Sequence, residues 1–158
     1  MASVQSTGSL MRIGLVLAVV IIALRIGLEH LGASQSINNI FGVAWLYLIL
    51  PVLFAWRIAT FSDSHRFMAL FKNVFLFTLC TRLMVLVTYM LAYLFQWEAP
   101  RFSVKMGGSV GGNMSPFMGL VLIPVRNAIF WIILATATGM IIGGITLWLR
   151  TLSSHQTK

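Results

Sequence analysis

Four long apolar runs that carry almost no charge constrain this chain more than any other feature of its sequence. They cover residues 10–28, 39–56, 73–97 and 127–149. A helix needs about 20 apolar residues to cross the hydrocarbon core of a bilayer, and a helix satisfies its backbone hydrogen bonds internally there. We therefore predict an all-α integral membrane protein, one membrane domain of four transmembrane helices in an antiparallel bundle.

The composition agrees with a lipid-facing surface. Charged residues make up 9% of the chain and apolar residues 59%, whereas about 25% of the residues in a typical soluble domain are charged. The net charge of +8 comes from lysines and arginines that are scattered singly near the ends of the apolar runs, which is typical of membrane topology. We expect membrane lipids as partners and no nucleic acid.

The first apolar run has an alternative interpretation as a cleaved signal peptide, because Arg12 precedes a short apolar core. No cleavage site of the A-x-A type follows in residues 32–36. We therefore interpret this run as the first span.

The connections between the runs differ in kind. Asn38 and Asn39 can cap the second helix. The longest loop, residues 98–126, contains a glycine cluster over residues 107–113, which favours a flexible or partner-covered segment. An apolar patch over residues 116–124 is too short to span, so it either lies in the interface, re-enters the membrane, or extends the fourth helix with a kink at a proline.

The side that holds both termini carries more basic residues than the other side. It has six, against four near the long loop: Arg12, Arg57, Arg66, Lys72, Arg150 and Lys158, against Arg25, Arg101, Lys105 and Arg126. Basic loops stay in the cytoplasm. We expect both termini to be cytoplasmic and the protein to lie in a bacterial inner membrane.

Groups that could carry out catalysis are scarce. The acids and histidines all fall in loops or near helix ends: Glu29, Asp63, Glu98, His30, His65 and His155. No pair of intramembrane carboxylates, no nucleophile with its base and no pair of haem ligands is evident. The single cysteine, Cys80, excludes an internal disulfide. We expect no catalytic site, no metal and no cofactor.

The most unusual residue is Arg82, which lies inside the third run. It follows Lys72 by ten residues, a depth of ~15 Å that is close to the bilayer centre. A helical wheel places it on a polar stripe with Thr78, Tyr89, Tyr93 and Gln96. Three interpretations are open: an arginine bonded within the bundle, one paired with a partner carboxylate or lipid headgroup, or a site for an anion, quinone or substrate.

Small residues share one face of the fourth run and predict close helix packing, either within the chain or on another subunit. They are Ala128, Ala135, Gly139, Gly143 and Thr146.

Charges and aromatic residues near the span ends give two more expectations. Arg25 and Glu29 are four residues apart and can pair on one helix face, and Arg25 can also reach the headgroups as an anchor. Tyr47 and four tryptophans are expected to be interface aromatics. The tryptophans are Trp45, Trp56, Trp97 and Trp148.

These features favour a non-catalytic accessory subunit of a larger membrane complex, respiratory or photosynthetic complexes being examples. The alternative is a small transporter or channel, assembled as a homo-oligomer, that uses Arg82 for an anionic solute. A lipid- or quinone-binding membrane enzyme is a third hypothesis.

The predicted topology can be tested by cysteine labelling. Single cysteines at Ser103 and Ser153, in a Cys80→Ser background, should react from opposite sides of the membrane, with position 153 reacting from the cytoplasmic side. Labelling of position 103 from the cytoplasm alone would overturn the assignment.

Overall fold

The computed structural model describes residues 2–60 and 65–155, with the side chains of residues 7–60 and 65–153. Asp63 lies outside the described residues. Within the described part, the regular structure is helical and includes five α-helices: α1 (Ala2–His30), α2 (Gln35–Ile40), α3 (Ala44–Ala59), α4 (Arg66–Phe95) and α5 (Ile123–His155).

Four stretches of helix are long and apolar enough to cross a membrane, as predicted. They are Thr7–His30, Gln35–Ala59, Arg66–Phe95 and Met118–Ser153. Each is longer than its apolar run at one end or both. Helical backbone continues into flanking turns that carry polar side chains, and hydropathy alone does not count these turns as part of the span.

The second span is broken into α2 and α3 by the segment Phe41–Val43. With 16 residues, α3 is ~24 Å long, which is shorter than the ~30 Å hydrocarbon core, and α2 supplies the remainder. The predicted cap is wrong: Asn38 lies inside α2, and its Nδ2 donates to the Ala33 carbonyl at 3.0 Å. The residue that precedes α3 is Val43, which has no capping side chain.

The apolar patch that precedes the fourth run extends its helix. A π-helical turn, Met118–Leu122, leads directly into α5. Pro124 lacks an N–H group, and its ring would crowd the carbonyl of Leu120 in a regular α-helix. The wider π-turn accommodates such a local disruption. Of the three interpretations of this patch, the structure therefore shows the one in which it extends the fourth helix.

Contacts at the two ends of the bundle show that successive long helices run in opposite directions. At one end, Glu29 of α1 contacts Arg101, which follows α4. At the other end, the guanidinium of Arg150 in α5 lies 3.5 Å from the ring centroid of Trp56 in α3. We call these the loop end (residues 29–43 and 96–117) and the terminal end. Helices α3 and α4 contact each other, α5 packs on both, and α1 packs on both as well.

The small-residue face of α5 packs inside the chain at Gly139 and Gly143. A Cβ atom at Gly139 would lie 2.8 Å from Val74 Cγ1, and one at Gly143 would lie 3.0 Å from the Pro51 carbonyl oxygen. These two glycines therefore let α5 approach α3 and α4 closely.

The other members of that face have less direct contacts. Ala128 and Ala135 are buried. Thr146 is half-buried, and its hydroxyl donates to the Ile142 carbonyl of its own helix.

The long loop is packed onto the end of α4. Phe102 is fully buried, with Ala92, Ala99 and Val110 around it. Gly108 lies directly against the Phe102 backbone, where any side chain would collide. The glycine cluster therefore forms a compact turn here.

Bulky residues at Gly139 or Gly143 should separate the helices. We expect Gly139→Ile and Gly143→Ile each to lower the free energy of unfolding by about 1–3 kcal/mol, because overpacking forces backbone shifts. Thermal unfolding in detergent measures this. Gly144→Ile is the matched control, since a Cβ there meets only Phe67, at 3.7 Å. Equal stability of all three variants would contradict the packing.

Candidate functional site

Arg82 lies near the middle of α4 and inside the bundle, with 7% of its surface exposed. Its guanidinium carbon is 4.9 Å from the ring centroid of Tyr47 and 4.8 Å from that of Trp131. Both distances are typical of cation–π contacts. Its Nε has no hydrogen-bond partner, and Arg82 forms no ion pair with any residue that the structure describes.

The predicted polar stripe divides at its outer end. Tyr89 lines a cavity together with Arg82, and Thr78 is buried. Tyr93 turns away, and its hydroxyl donates to the Met114 carbonyl at 3.2 Å. Gln96 is not in the helix at all: it adopts a left-handed conformation with φ 51° that ends α4, and its side chain is exposed.

The cavity has a volume of about 380 Å³ and lies between the helices at the loop end. Residues from α1, the break before α3, α4, the long loop and α5 all contribute to its wall. Its charged and aromatic lining consists of Arg25, Arg82, Arg101, Phe41, Tyr89 and Trp131.

One carboxylate forms ion pairs with two of these arginines. Glu29 Oε1 is 3.1 Å from Arg25 Nε and 2.9 Å from Arg101 Nε. The predicted pairing of Arg25 with Glu29 is confirmed. The glutamate side chain is 3% exposed, whereas the side chains of Arg25 and Arg101 are 19% and 13% exposed, so the carboxylate is buried between two half-buried arginines.

Arg101 is short of partners in this cluster. Its Nη2 has no hydrogen-bond partner among the described residues. Burial lowers the pKa of Arg101 below its ordinary value, because desolvation disfavours the charged form, and the nearby Glu29 opposes that shift.

Positive charge therefore exceeds negative charge around the cavity by two. Three guanidinium groups line it, and Glu29 is the one acid that pairs with any of them in the described part of the chain. Coulombic interactions are strong at low dielectric, and a buried charge without its partner is strongly destabilising. The cavity is thus an electrostatically favourable place for an anion.

The break in the second span creates the space. The segment between α2 and α3, with Phe41, Gly42 and Val43, forms part of the cavity wall, and it is flanked there by Asn39 of α2 and Ala44 of α3. A Cβ on Gly42 would lie 3.5 Å from Arg25 Nη1 and 3.2 Å from the Asn39 carbonyl oxygen. Non-helical backbone at membrane depth is tolerated where it is buried or lines a cavity.

The half of the bundle nearer the terminal end, which we call the terminal half, is tightly packed. Large apolar side chains fill it: Leu50, Phe54, Leu70 and Phe77 are each 3% exposed or less. The cavity therefore lies on the loop-end side of this packed core.

Donor groups dominate the chemistry of the cavity. Its lining includes guanidinium groups, the Tyr89 hydroxyl and the amides of Asn39 and Asn127, and it includes no acid, histidine or cysteine. No group of three or more metal-binding side chains occurs in the portion of the chain that the structure describes.

Three residues at or beside this site escaped the sequence analysis. Tyr47 was expected at the membrane interface, but it is 5% exposed and lies against Arg82. Trp131 and Arg101 come from distant parts of the sequence. Trp131 lies on another helix and Arg101 lies in a loop. A helical wheel of α4 alone shows neither of them.

Comparison with protein-family models, with curated proteins and with solved structures finds no match for this chain. The class of protein is therefore defined by the fold itself, which has four helices suited to spanning a membrane.

Removing the acid from the Arg25–Glu29–Arg101 cluster should destabilise the loop end. We expect Glu29→Gln to lower the free energy of unfolding by roughly 3–5 kcal/mol, as the loss of one partner of a buried ion pair does. Thermal unfolding and proteolysis of the loop measure the effect. Glu98→Gln is the control, because Glu98 is exposed. An equally small change in both variants would contradict a structural role for Glu29.

Proposed function

We propose that this chain is a four-span membrane protein, with both termini in the cytoplasm, that binds an anion in its arginine-lined cavity. The observation that carries this proposal is the buried positive charge around Arg82, which no acid among the described residues compensates. Binding rather than catalysis is favoured, because the lining supplies hydrogen-bond donors and includes no acid, histidine or cysteine that could act with Tyr89 as a nucleophile–base pair.

The electrostatics of Arg82 support an external anion. A charged side chain at the bilayer centre costs at least ~2.5–3.5 kcal/mol on insertion scales. A cation–π contact offsets about 0.5–2 kcal/mol, and Arg82 has two such contacts, with Tyr47 and Trp131. The rings shield the guanidinium from lipid, but they do not supply a negative charge or an acceptor for its Nε. A bound anion would provide both.

The closed terminal half favours a binding site over an open channel. An anion that enters from the loop end would meet Arg25 and Arg101 first and Arg82 further in, and the packed side chains of Leu50 and Phe77 lie beyond. Passage to the other side would require the helices to rearrange. Transport of an anionic solute is therefore a second step that the proposal does not need.

The accessory-subunit hypothesis stays a prediction with less support. One of its motives now has an explanation inside the chain, because the glycine face of α5 packs against α3 and α4. The other motive, a buried Arg82 that has no acid partner among the described residues, is met equally by a partner carboxylate or by a bound anion. Stoichiometric foreign subunits after gentle solubilisation would favour it. The hypothesis of a lipid- or quinone-binding enzyme has less support, because no acid, histidine or cysteine lines the cavity.

Anion binding can be measured as thermal stabilisation in a mild detergent. A ligand that binds the native state alone raises stability with its concentration. Sodium sulfate, phosphate and citrate, compared with chloride at equal ionic strength, should raise the unfolding temperature of the wild type. Arg82→Gln should lower the affinity for these anions at least ten-fold, which is about 1.4 kcal/mol of binding free energy. Arg82→Lys should lower the affinity less, because it keeps the positive charge.

Arg126→Gln is the matched control, because this arginine is exposed near the loop end and does not line the cavity. It should bind anions as the wild type does. The proposal fails if no multivalent anion stabilises the wild type, or if Arg82→Gln and Arg126→Gln respond alike.

A further inference from the structure

We infer that the anion carries a phosphate group, and that this group lies between the N-terminus of α3 and Arg82. The inference rests on the proposed function, because it specifies the ligand of the same cavity. It depends on an additional feature, the first turn of α3.

The N-terminus of α3 lacks a cap. Val43 offers no side-chain oxygen, and no acid is present in the first turn. The first N–H groups of a helix have no intrahelical partner, and the helix dipole places a partial positive charge there. Val43 and Ala44 both line the cavity, so this helix start faces the space between the arginines. Phosphate groups bind readily at such helix starts.

Arg82 provides independent evidence for a ligand at the same place. Its side chain is more than nine-tenths buried, its Nε lacks a partner, and it lines the same cavity as Ala44. Arg101 adds a second unpartnered donor, its Nη2, from the long loop. Vacant donors therefore come from three separate elements: the start of α3, the middle of α4 and the loop that follows α4.

The number and arrangement of these donors select a phosphate over a carboxylate. A carboxylate offers two oxygens in one plane and a single charge. A phosphate monoester offers three terminal oxygens and close to two negative charges at neutral pH, which matches the two uncompensated positive charges of the cavity. Arginine also binds phosphate in a bidentate manner.

The volume of the cavity indicates that the phosphate is attached to a larger molecule. About 380 Å³ lies in the range of pockets for small organic ligands and is much more than one phosphate needs. Phe41 and Ala44 are exposed at the break before α3 and give the mouth an apolar surface. The phosphate of a lipid headgroup and a free phosphate share the chemistry that this site recognises.

The test uses the full chain in phosphatidylcholine nanodiscs. Three probes are compared by thermal unfolding and tryptophan fluorescence: phosphatidic acid built into the nanodisc, inorganic phosphate in solution, and succinate in solution. At least one phosphate probe should bind more tightly than succinate. A response to phosphatidic acid identifies a lipid as the source, and a response to inorganic phosphate identifies a soluble one.

Ala44→Asp and Ala44→Asn form the decisive pair of variants. The aspartate places a carboxylate at the start of α3, where it should compete with phosphate and weaken binding roughly ten-fold. The aspartate is also favourable for the helix start, so loss of folding is not expected, and the asparagine keeps the size without the charge. Binding of the phosphate probe should survive in Ala44→Asn.

Two results would overturn the inference while leaving the proposed function intact. Succinate could bind as tightly as the phosphate probes, which excludes phosphate as the selected group. Alternatively, Ala44→Asp could bind phosphate as tightly as Ala44→Asn does. That result excludes the start of α3 as the position of the phosphate group. The proposed function itself fails if no multivalent anion stabilises the wild type, or if Arg82→Gln binds anions as Arg126→Gln does.

Discussion

The free-energy cost of burying positive charge in an apolar bundle is the constraint on which the loop end of this structure depends. Arg82 is tolerated there because Tyr47 from α3 and Trp131 from α5 enclose its guanidinium. Those two rings must face the same point from two helices, so the position of Arg82 on α4 fixes how α3 and α5 are rotated beside it. A single side chain thus relates three of the four spans.

Glu29 extends the same electrostatic constraint to α1 and to the long loop. Its carboxylate contacts Arg25 one turn earlier in α1 and Arg101 in the loop, so neutralising it would leave both cations buried together. Aromatic packing reinforces this join: His30 lies edge-on to Trp97, with ring centroids 5.1 Å apart. The loop that looks like a flexible glycine-rich segment is therefore held by the charge that α1 brings to it.

The sequence was sufficient for the features that depend on local composition. Apolar run length predicts four helices, and the spacing of four residues predicts the pairing of Arg25 with Glu29. Features that depend on distant contacts were not predictable. Nothing local distinguishes Tyr47 from an interface tyrosine or marks Arg101 as the second partner of Glu29, and the helical wheel assumed that α4 continues through Gln96.

The break in the second span separates the bundle into two halves with different properties. In the terminal half, Pro51 and the glycines of α5 bring the helices into close contact, and large apolar side chains fill the core. In the loop half, α3 has not yet begun, and the space it leaves is lined by arginines. The closely packed half can fix the positions of the helices, while the unpaired hydrogen-bond donors of the other half remain separated around the cavity. The fold then fixes the positions of these donors before any ligand binds, and preorganisation of this kind lowers the ordering cost of binding. An anion in that space would supply the acceptor oxygens and the negative charge that the fold leaves out, and its binding would stabilise the arrangement that Arg82 requires.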